Sequence, residues 1–451
     1  MLGRQAASPP VEDAAPPKES QAPVDIARTE MLTVSQISKA WLWGAAAMLL
    51  IGAAANSRAL FGLGLVLAVA LLVAWVWAHW CLSNLHVERT FSQPRAFWGE
   101  EVEMNQVFVN NKPLPVPWLA VNDEYPGSLE LLSHKTGSAS RPRVMEFSTS
   151  LSLGWYERLT RHYHLKCTAR GEHEFGPIEV RSGDIFGLFR RTALVQTYGT
   201  LLVYPRYVQV ERLGLPARQP FGDSKSTLPL ATDPLRLRGI REYAYGDNPR
   251  HVHWKATARR GVMQTKLFEP AATPQLSLFC NQDTFVHIWD GLDTSTLELT
   301  ITVAASIANY ALETGYMVGL QVNAFAVNSD RQVKVAPSRD PGQLTRILEN
   351  LARIKGWSGL PMEELIRSQR HFLPKGTTVV VVTGVVTEDM LDILIALRRA
   401  GHPVTLVEAA GSDRAAEWAK RKSPEALRAQ GITYYLVDAV DEAETLDSLV
   451  F

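Results

Sequence analysis

Cysteine is scarce and unpatterned in this chain of 451 residues: Cys81, Cys167 and Cys280 stand far apart, odd in number and without CxxC spacing. That excludes a disulfide framework and a cysteine-based zinc site, and free thiols fit a reducing compartment. No charge surplus exists either, since 46 Lys+Arg balance 46 Asp+Glu. A globally basic nucleic-acid binder is thereby excluded, and no nucleic-acid partner is expected. The chain has no Walker A, GxGxxG or HExxH motif, so neither nucleotide binding nor zinc hydrolysis is signalled and no cofactor is expected. Charged residues make up only 20%, below the usual roughly 25%, and the apolar surplus is concentrated in one place. The composition is not collagen-like, wholly disordered or that of a small secreted protein.

Residues 1–30 carry Pro9, Pro10, Pro16, Pro17 and Pro23 among small and charged residues, a composition that buries too little apolar surface to offset ordering entropy. A disordered tail is expected there, and no signal peptide, for want of a basic start and an apolar centre. The next segment, residues 40–80, holds the oil. Ala40 to Ser57 has no ionisable side chain, and neither has Ala59 to Ala78. At about 1.5 Å per residue the first reaches roughly 27 Å, enough for a bilayer core. Trp41 and Trp43 flank one end, and Trp75, Trp77 and Trp80 the other, as an interfacial belt requires. Only Asn56, Ser57 and Arg58 join the two runs, so a transmembrane helical hairpin is expected. Arg28, Lys39, Arg89 and Arg95 outside it, against Arg58 in the connector, place both termini in the cytoplasm and the chain as a multi-pass protein of the inner cell membrane.

From 86 to 206 short alternating segments recur between Gly, Pro, Asn and Asp clusters, among them Val102–Val109, Trp118–Asn122, Met145–Leu151, Arg161–Cys167, Gly176–Arg181 and Leu201–Tyr204. They predict an antiparallel, sandwich-like β domain. His162 and His164 share a strand face without a completing ligand set. Ser182–Gly187 reads as a turn, its glycines supplying positive φ and Phe186 covering an edge.

Residues 207–235 read as a linker. The segment 236–269 is chemically the densest of the chain, with a net excess of five positive charges. Asp247 or Asn248 can cap a helix with Pro249 at N1 and Gly261 at its stop, which aligns His251, Lys255 and Arg259 on one face. Arg241, Arg250, Lys255 and Arg259 would suit an anionic docking surface. The structural alternative, weighted more heavily, is a latch in which Glu242 and Asp247 pair with the arginines and Trp254 packs into an interdomain seam. A proton-transfer reading would use Glu242, Asp247, His251 and His253, but no GxSxG elbow accompanies them. A third possibility is binding of anionic lipid headgroups by this basic segment.

The Arg238-Gly239-Ile240-Arg241-Glu242-Tyr243 block, with Gly246-Asp247, Arg250, Trp254-Lys255 and Ala258-Arg259, resembles the hallmark of the domain of unknown function 58 family. That resemblance implies two membrane helices, a β-rich segment, the hallmark and a von Willebrand factor A-like region. It also implies a MoxR-type AAA+ ATPase as partner, with Arg238, Arg241, Glu242, Tyr243, Gly246, Asp247, Arg250, Trp254, Lys255 and Arg259 as the binding positions and no catalytic residue.

From 274 to 451 strands and helices alternate: Gln275–Asn281, Leu297–Leu312, Met317–Val327, Pro341–Ile354, Thr377–Val382, Glu388–Ala400, Val404–Glu408, Arg414–Gln430 and Thr433–Val437. A doubly wound, mostly parallel α/β sheet is predicted. Where a working von Willebrand factor A domain has Asp-x-Ser-x-Ser, this chain has Asn281-Gln282-Asp283-Thr284-Phe285. Loss of a carboxylate and a hydroxyl weakens any hard-cation site, so no metal is expected. Thr383-Gly384 adds no acid, and Asp290–Ser295 reads as a turn and helix cap. The whole sequence reads as a membrane-anchored, non-enzymatic interaction protein, with an uncharacterised hydrolase or transferase as the alternative.

Overall fold

The computed structural model describes residues 24–25, 30–34, 36–133, 137–138, 143–210, 232–245, 247–270, 274–286, 290–325, 332–354, 358–409 and 424–437. The chain divides into two compact units, Met1–Leu202 and Val203–Phe451.

The first unit opens with two short strands, β1 (Val24–Asp25) and β2 (Glu30–Val34). In contrast to the disordered tail expected up to residue 30, Val24–Asp25 pairs with Val87–His86 and Glu30–Val34 pairs with Ala193–Phe189. Open sheet edges take up these backbone groups despite the proline-rich composition around them. Residues 1–23 lie outside the described residues. Helices α1 (Gln36–Ala54) and α2 (Arg58–Trp80) come next. Alone among the described helices, α2 is long and apolar enough to cross a membrane; the apolar part of α1, Ala40–Ala54, is shorter. The two helices pack where glycine removes bulk: a Cβ at Gly52 would stand 2.5 Å from the Phe61 nitrogen, and one at Gly64 3.0 Å from the Leu49 nitrogen.

The β-rich body comprises β3 (Leu85–Phe91), β4 (Arg95–Phe97), β5 (Glu101–Asn110), β6 (Val116–Pro126), β7 (Glu130–Leu131), β8 (Gly137–Ser138), β9 (Val144–Leu153), β10 (Arg158–Lys166), β11 (Gly171–Phe175), β12 (Ile178–Gly183), β13 (Phe189–Val195) and β14 (Gly199–Tyr204). They form sheets ordered β1-β3-β5-β10-β7, β2-β13-β12-β6-β9-β8 and β11-β14-β4. The period-two apolar pattern of these strands, clearest in the alternating burial of β6, gives each sheet one inward face. Val87, Phe108, Val121, Ile178 and Val195 meet there, joined by Cys81 and Leu82 just beyond α2. The foot of α2 is thus rooted in the β core. A buried ion pair, Arg89 to Asp123, crosses that interior, with Gln106 Nε2 also donating to Asp123 and Arg89 Nη1 to the Thr197 carbonyl.

In the second unit the expected linker is structured at both described ends. Val208 and Val210 are buried, and the Val208 amide donates to Ser306 Oγ at 2.9 Å; residues 211–231 lie outside the described residues. A two-stranded ribbon of β15 (Thr232–Glu242) and β16 (Gln264–Pro270) brackets the short helix α3 (Trp254–Arg260). Then come β17 (Gln275–Cys280), α4 (Thr294–Glu313), β18 (Met317–Phe325), β19 (Gln332–Ser338), α5 (Gln343–Ala352), α6 (Met362–Gln369), β20 (Thr378–Thr383), α7 (Glu388–Arg399), β21 (Val404–Ala409), α8 (Pro424–Ala429) and β22 (Thr433–Val437). Their order is β19-β18-β17-β20-β21-β22, parallel except for β19. That is the doubly wound order, and its reversal puts a crevice at the carboxyl ends of β17 and β20. Sequence reasoning missed β19 and α6: β19 alternates only weakly and ends in Pro337 and Ser338, and α6 is short and polar. Of the helix expected over Arg414–Gln430, residues 424–429 are described and helical.

Candidate functional site

Two places in the second unit concentrate polar side chains. The first is the hallmark segment. Asp247 organises its loop: Oδ1 accepts from Arg241 Nη2 at 2.6 Å, Oδ2 from the Ala244 amide at 3.0 Å, and its carbonyl from the Tyr243 hydroxyl at 3.0 Å. The Ala244 amide, and then the Arg241 guanidinium, hold the Asp247 carboxyl below the usual carboxylate range. A carboxyl lowered by folding contributes stability above its unfolded value of about 3.9, which is lost as pH falls through the folded value. The Ala244 amide resonance is therefore expected to titrate with a midpoint below about 3.9 and to stop titrating in D247N; an unshifted midpoint contradicts this geometry.

The expected continuous helix from Pro249 is broken. Pro249–His251 forms a single 3-10 turn capped by Asn248, whose Oδ1 accepts from the Arg250 amide at 3.1 Å. Val252 then leaves the helix to bridge Thr265, and His253 caps α3 with Nδ1 accepting from the Ala256 amide at 3.1 Å. The break has a clear cause: the His253 amide bonds the Gln264 carbonyl of β16 at 2.8 Å, pulling the chain into strand geometry there. His251 consequently does not share a helix face with Lys255 and Arg259, although those two remain together on α3. Gly261 stops α3 at φ 73°, a left-handed position that glycine adopts without cost.

Of the expected latch, one half is present. The Arg241–Asp247 pair exists. Trp254 is 70% exposed, and Tyr245 is wholly exposed. Glu242, Arg250, Lys255 and Arg259 are exposed as well, and Tyr243 is half-buried. Arg238 lies in β15 with its side chain outside the described residues, and Gly246 lies outside them entirely. The residues that sequence reasoning missed are Tyr245 and Thr257. His253 and Thr257 serve local structure, with Thr257 Oγ1 accepting from the Gln264 amide at 3.0 Å and locking α3 to β16. The proton-transfer candidates are spent in part: Asp247 is held by Arg241 and Ala244, and His253 Nδ1 by the cap.

The second place is the crevice of the doubly wound sheet, where Asn281, Asn323 and Thr383 are buried. Asn281 Nδ2 donates to Thr383 Oγ1 at 2.9 Å, and Asn281 Oδ1 accepts from Asn323 Nδ2 at 2.7 Å and the Asp283 amide at 3.1 Å. Asn323 also donates to Asp283 Oδ2 at 2.8 Å and accepts from the Gln282 amide at 2.9 Å. Burial raises the Asp283 carboxyl. Asp293 caps α4, accepting from Ser295 and Thr296, while its own amide bonds Thr284. Amides thus fill the switch point with bonds to one another. Asn323 gave no signal in the sequence, lying far along the chain and meeting Asn281 only through the β17–β18 pairing.

N281D tests that network. Thr383 Oγ1 already donates to the Val385 carbonyl, so a carboxylate in place of the amide would face lone pairs and lose its donor. A loss of about 1–3 kcal/mol in unfolding free energy is expected; unchanged stability contradicts the network. His162 meets Glu103 across the strands at 2.5 Å, and no group of three candidate ligands occurs among the described residues.

Residues 239–414 match the family model described as protein of unknown function DUF58. Over that region the chain is similar to the DUF58 family. Within that region lie nearly all of the 236–269 segment and most of the doubly wound sheet. The uncharacterized protein YeaD of Bacillus subtilis (strain 168) is 27% identical over 328 residues, covering 71% of this chain and 76% of YeaD. Among solved structures, a non-cellulosomal cohesin from the hyperthermophilic archaeon Archaeoglobus fulgidus is 17% identical, covering 26% of this chain and 90% of the cohesin, at a TM-score of 0.18. A cohesin module of a family 33 glycoside hydrolase from Clostridium perfringens ATCC13124 is 12% identical, covering 26% of this chain and 96% of the module, at 0.20.

Proposed function

We propose that this chain is a membrane-anchored, non-enzymatic interaction protein. In this reading α1 and α2 form a two-span hairpin, and the hallmark segment docks a cytosolic partner. The observation that carries the reading is the surface of the helices. Trp43, Leu50, Leu63, Val66, Leu72 and Trp80 are exposed, and their exposed neighbours run along both helices. Soluble proteins seldom leave contiguous apolar patches larger than a few hundred Å² in water, and lipid removes that cost. Gln36–Ala54 would span roughly 28 Å, with Trp41 and Trp43 near one membrane face and Trp75, Trp77 and Trp80 at the foot of α2. The charge bias outside the hairpin favours a cytoplasmic location for the residues beyond α2.

Surface chemistry supports docking in place of catalysis. Tyr245 and Trp254 are exposed in the same segment as exposed Arg250, Lys255 and Arg259, and exposed aromatics and arginines are the residues on which protein interfaces concentrate their energy. A MoxR-type AAA+ ATPase is the partner that the family resemblance implies. The C-terminal unit fits a von Willebrand factor A-like domain whose cation position is replaced by the amide network of Asn281 and Asn323. Purified in detergent with crosslinking, the full chain is expected to retain the ATPase, and Y245A/W254A to lose it by roughly 30-fold, since truncating an interface anchor costs about 2 kcal/mol or more. Recovery without any ATPase, or undiminished recovery with the double variant, contradicts the proposal.

A further inference from the structure

The end of the β sandwich that carries the helices has loops with exposed large apolar side chains. Antiparallel register defines that end. Val34, two residues before α1, pairs with Phe189 at the start of β13, so the 184–188 loop stands beside the point where α1 begins. The same loop touches α2: Phe189 and Leu188 pack against Ala74 and Ala78. Counted from Arg58, a hydrocarbon core about 30 Å thick takes up about 20 residues of helix, which puts its near boundary close to Ala78. The 184–188 loop is therefore drawn to the height of that boundary by its own contacts.

At its tip are Ile185, 59% exposed, and Phe186, 69% exposed. The sequence predicts a turn here with Phe186 covering an edge and both glycines at positive φ. Phe186 is instead largely exposed. Gly187 has φ 70°, whereas Gly183 is required by close approach, since a Cβ there would stand 2.1 Å from the Phe189 carbonyl oxygen. Asp184, almost fully buried, builds the loop. Its carboxylate accepts from the Phe186 amide at 2.8 Å and the Phe189 amide at 2.6 Å, and its carbonyl accepts from the Trp118 indole at 3.1 Å. A fold that holds its loop this firmly does so with two large apolar side chains facing outward.

A second loop at the same end repeats the pattern slightly farther from the lipid. The Tyr156 amide bonds the Lys112 carbonyl at 3.3 Å, and Lys112 Nζ donates to the Ser83 carbonyl at 2.8 Å, three residues beyond the end of α2. Trp155 and Tyr156 are exposed there, at the height where amphipathic aromatic rings favour the headgroup layer.

We infer that this end of the sandwich is itself a membrane-binding surface, with Ile185 and Phe186 inserted at the headgroup–acyl boundary and Trp155 and Tyr156 in the headgroup layer. The β unit then lies seated on the bilayer instead of hanging from its helices. This inference rests on the membrane reading of α1 and α2. Its occupant is the lipid interface because Leu188 and Phe189, which follow the Ile185–Phe186 tip, pack on Ala74 and Ala78 of the apolar helix α2, and exposed apolar side chains at such a boundary bury about 5–10 Å into that layer.

The test uses the full chain reconstituted in phosphatidylethanolamine–phosphatidylglycerol vesicles. Single cysteines carrying the NBD fluorophore replace Phe186 (F186C), Leu65 (L65C) or Glu130 (E130C), the last at the opposite end of the sandwich beside Lys166. Burial protects the three native thiols from labelling. F186C is expected to emit at shorter wavelength than E130C and to lose roughly half its intensity with a lipid spin-labelled near the headgroup, the depth at which interfacial segments sit. L65C should be quenched best by a label deep in the acyl chain. If F186C behaves like E130C while L65C is quenched, the seated surface is overturned and the anchor stands. If neither F186C nor L65C is quenched, both readings fall.

Discussion

Arg89→Met is expected to destabilise the N-terminal unit by about 3–5 kcal/mol, the cost of leaving a buried charge without its partner. The Arg89 guanidinium and Asp123 carboxylate have no exposed side-chain surface. Burial raises the Asp123 carboxyl, while the Arg89 guanidinium and the Gln106 amide oppose that rise. Removing Arg89 takes away the main opposing charge, leaves the carboxylate in an apolar core and frees the Thr197 carbonyl. R89M/D123L, which removes both charges, should recover a large part of the loss, because apolar replacement of a whole buried pair is often nearly neutral. Denaturant unfolding in detergent micelles, tracking the N-terminal unit, distinguishes the two. Equal losses in single and double variants would mean that the pair contributes packing volume alone.

Replacing Leu65 and Val69 together by arginine has the second large effect, and its sign is diagnostic. Both side chains are exposed on α2, near the middle of the helix. In a bilayer each arginine at a helix centre costs about 2.5–3.5 kcal/mol, and the pair should move most of the chain out of the membrane fraction. In water the same change would cover an apolar patch with charge and improve solubility. Fractionation of cells expressing L65R/V69R reads the outcome directly; unchanged membrane recovery would show that this face of α2 does not meet lipid.

How much of the fold was legible in the sequence depends on how local each signal is. The apolar runs at 40–80, the alternating strands of 86–206 and the strand–helix alternation after 274 are short-range patterns, and each reappears as an element close to its expected bounds. The hallmark helix was misread because its break depends on β16: His253 bonds Gln264 and Val252 bridges Thr265, pairings that the 249–261 window does not contain. Trp254 reads as a packing residue by type, and on α3 it stands exposed. Asn281 was legible as a polar residue at the end of an apolar strand, whereas its bond to Asn323 awaited the strand order. The loop at Asp184 was recognised as a turn; its direction depended on Phe189 meeting Ala74 and Ala78.

The central claim is that α1 and α2 lie in lipid. Membranes from cells making the full chain, washed in alkaline carbonate, test it most directly: the protein stays with the pelleted bilayers if the helices span them, and its release into the supernatant would contradict the account.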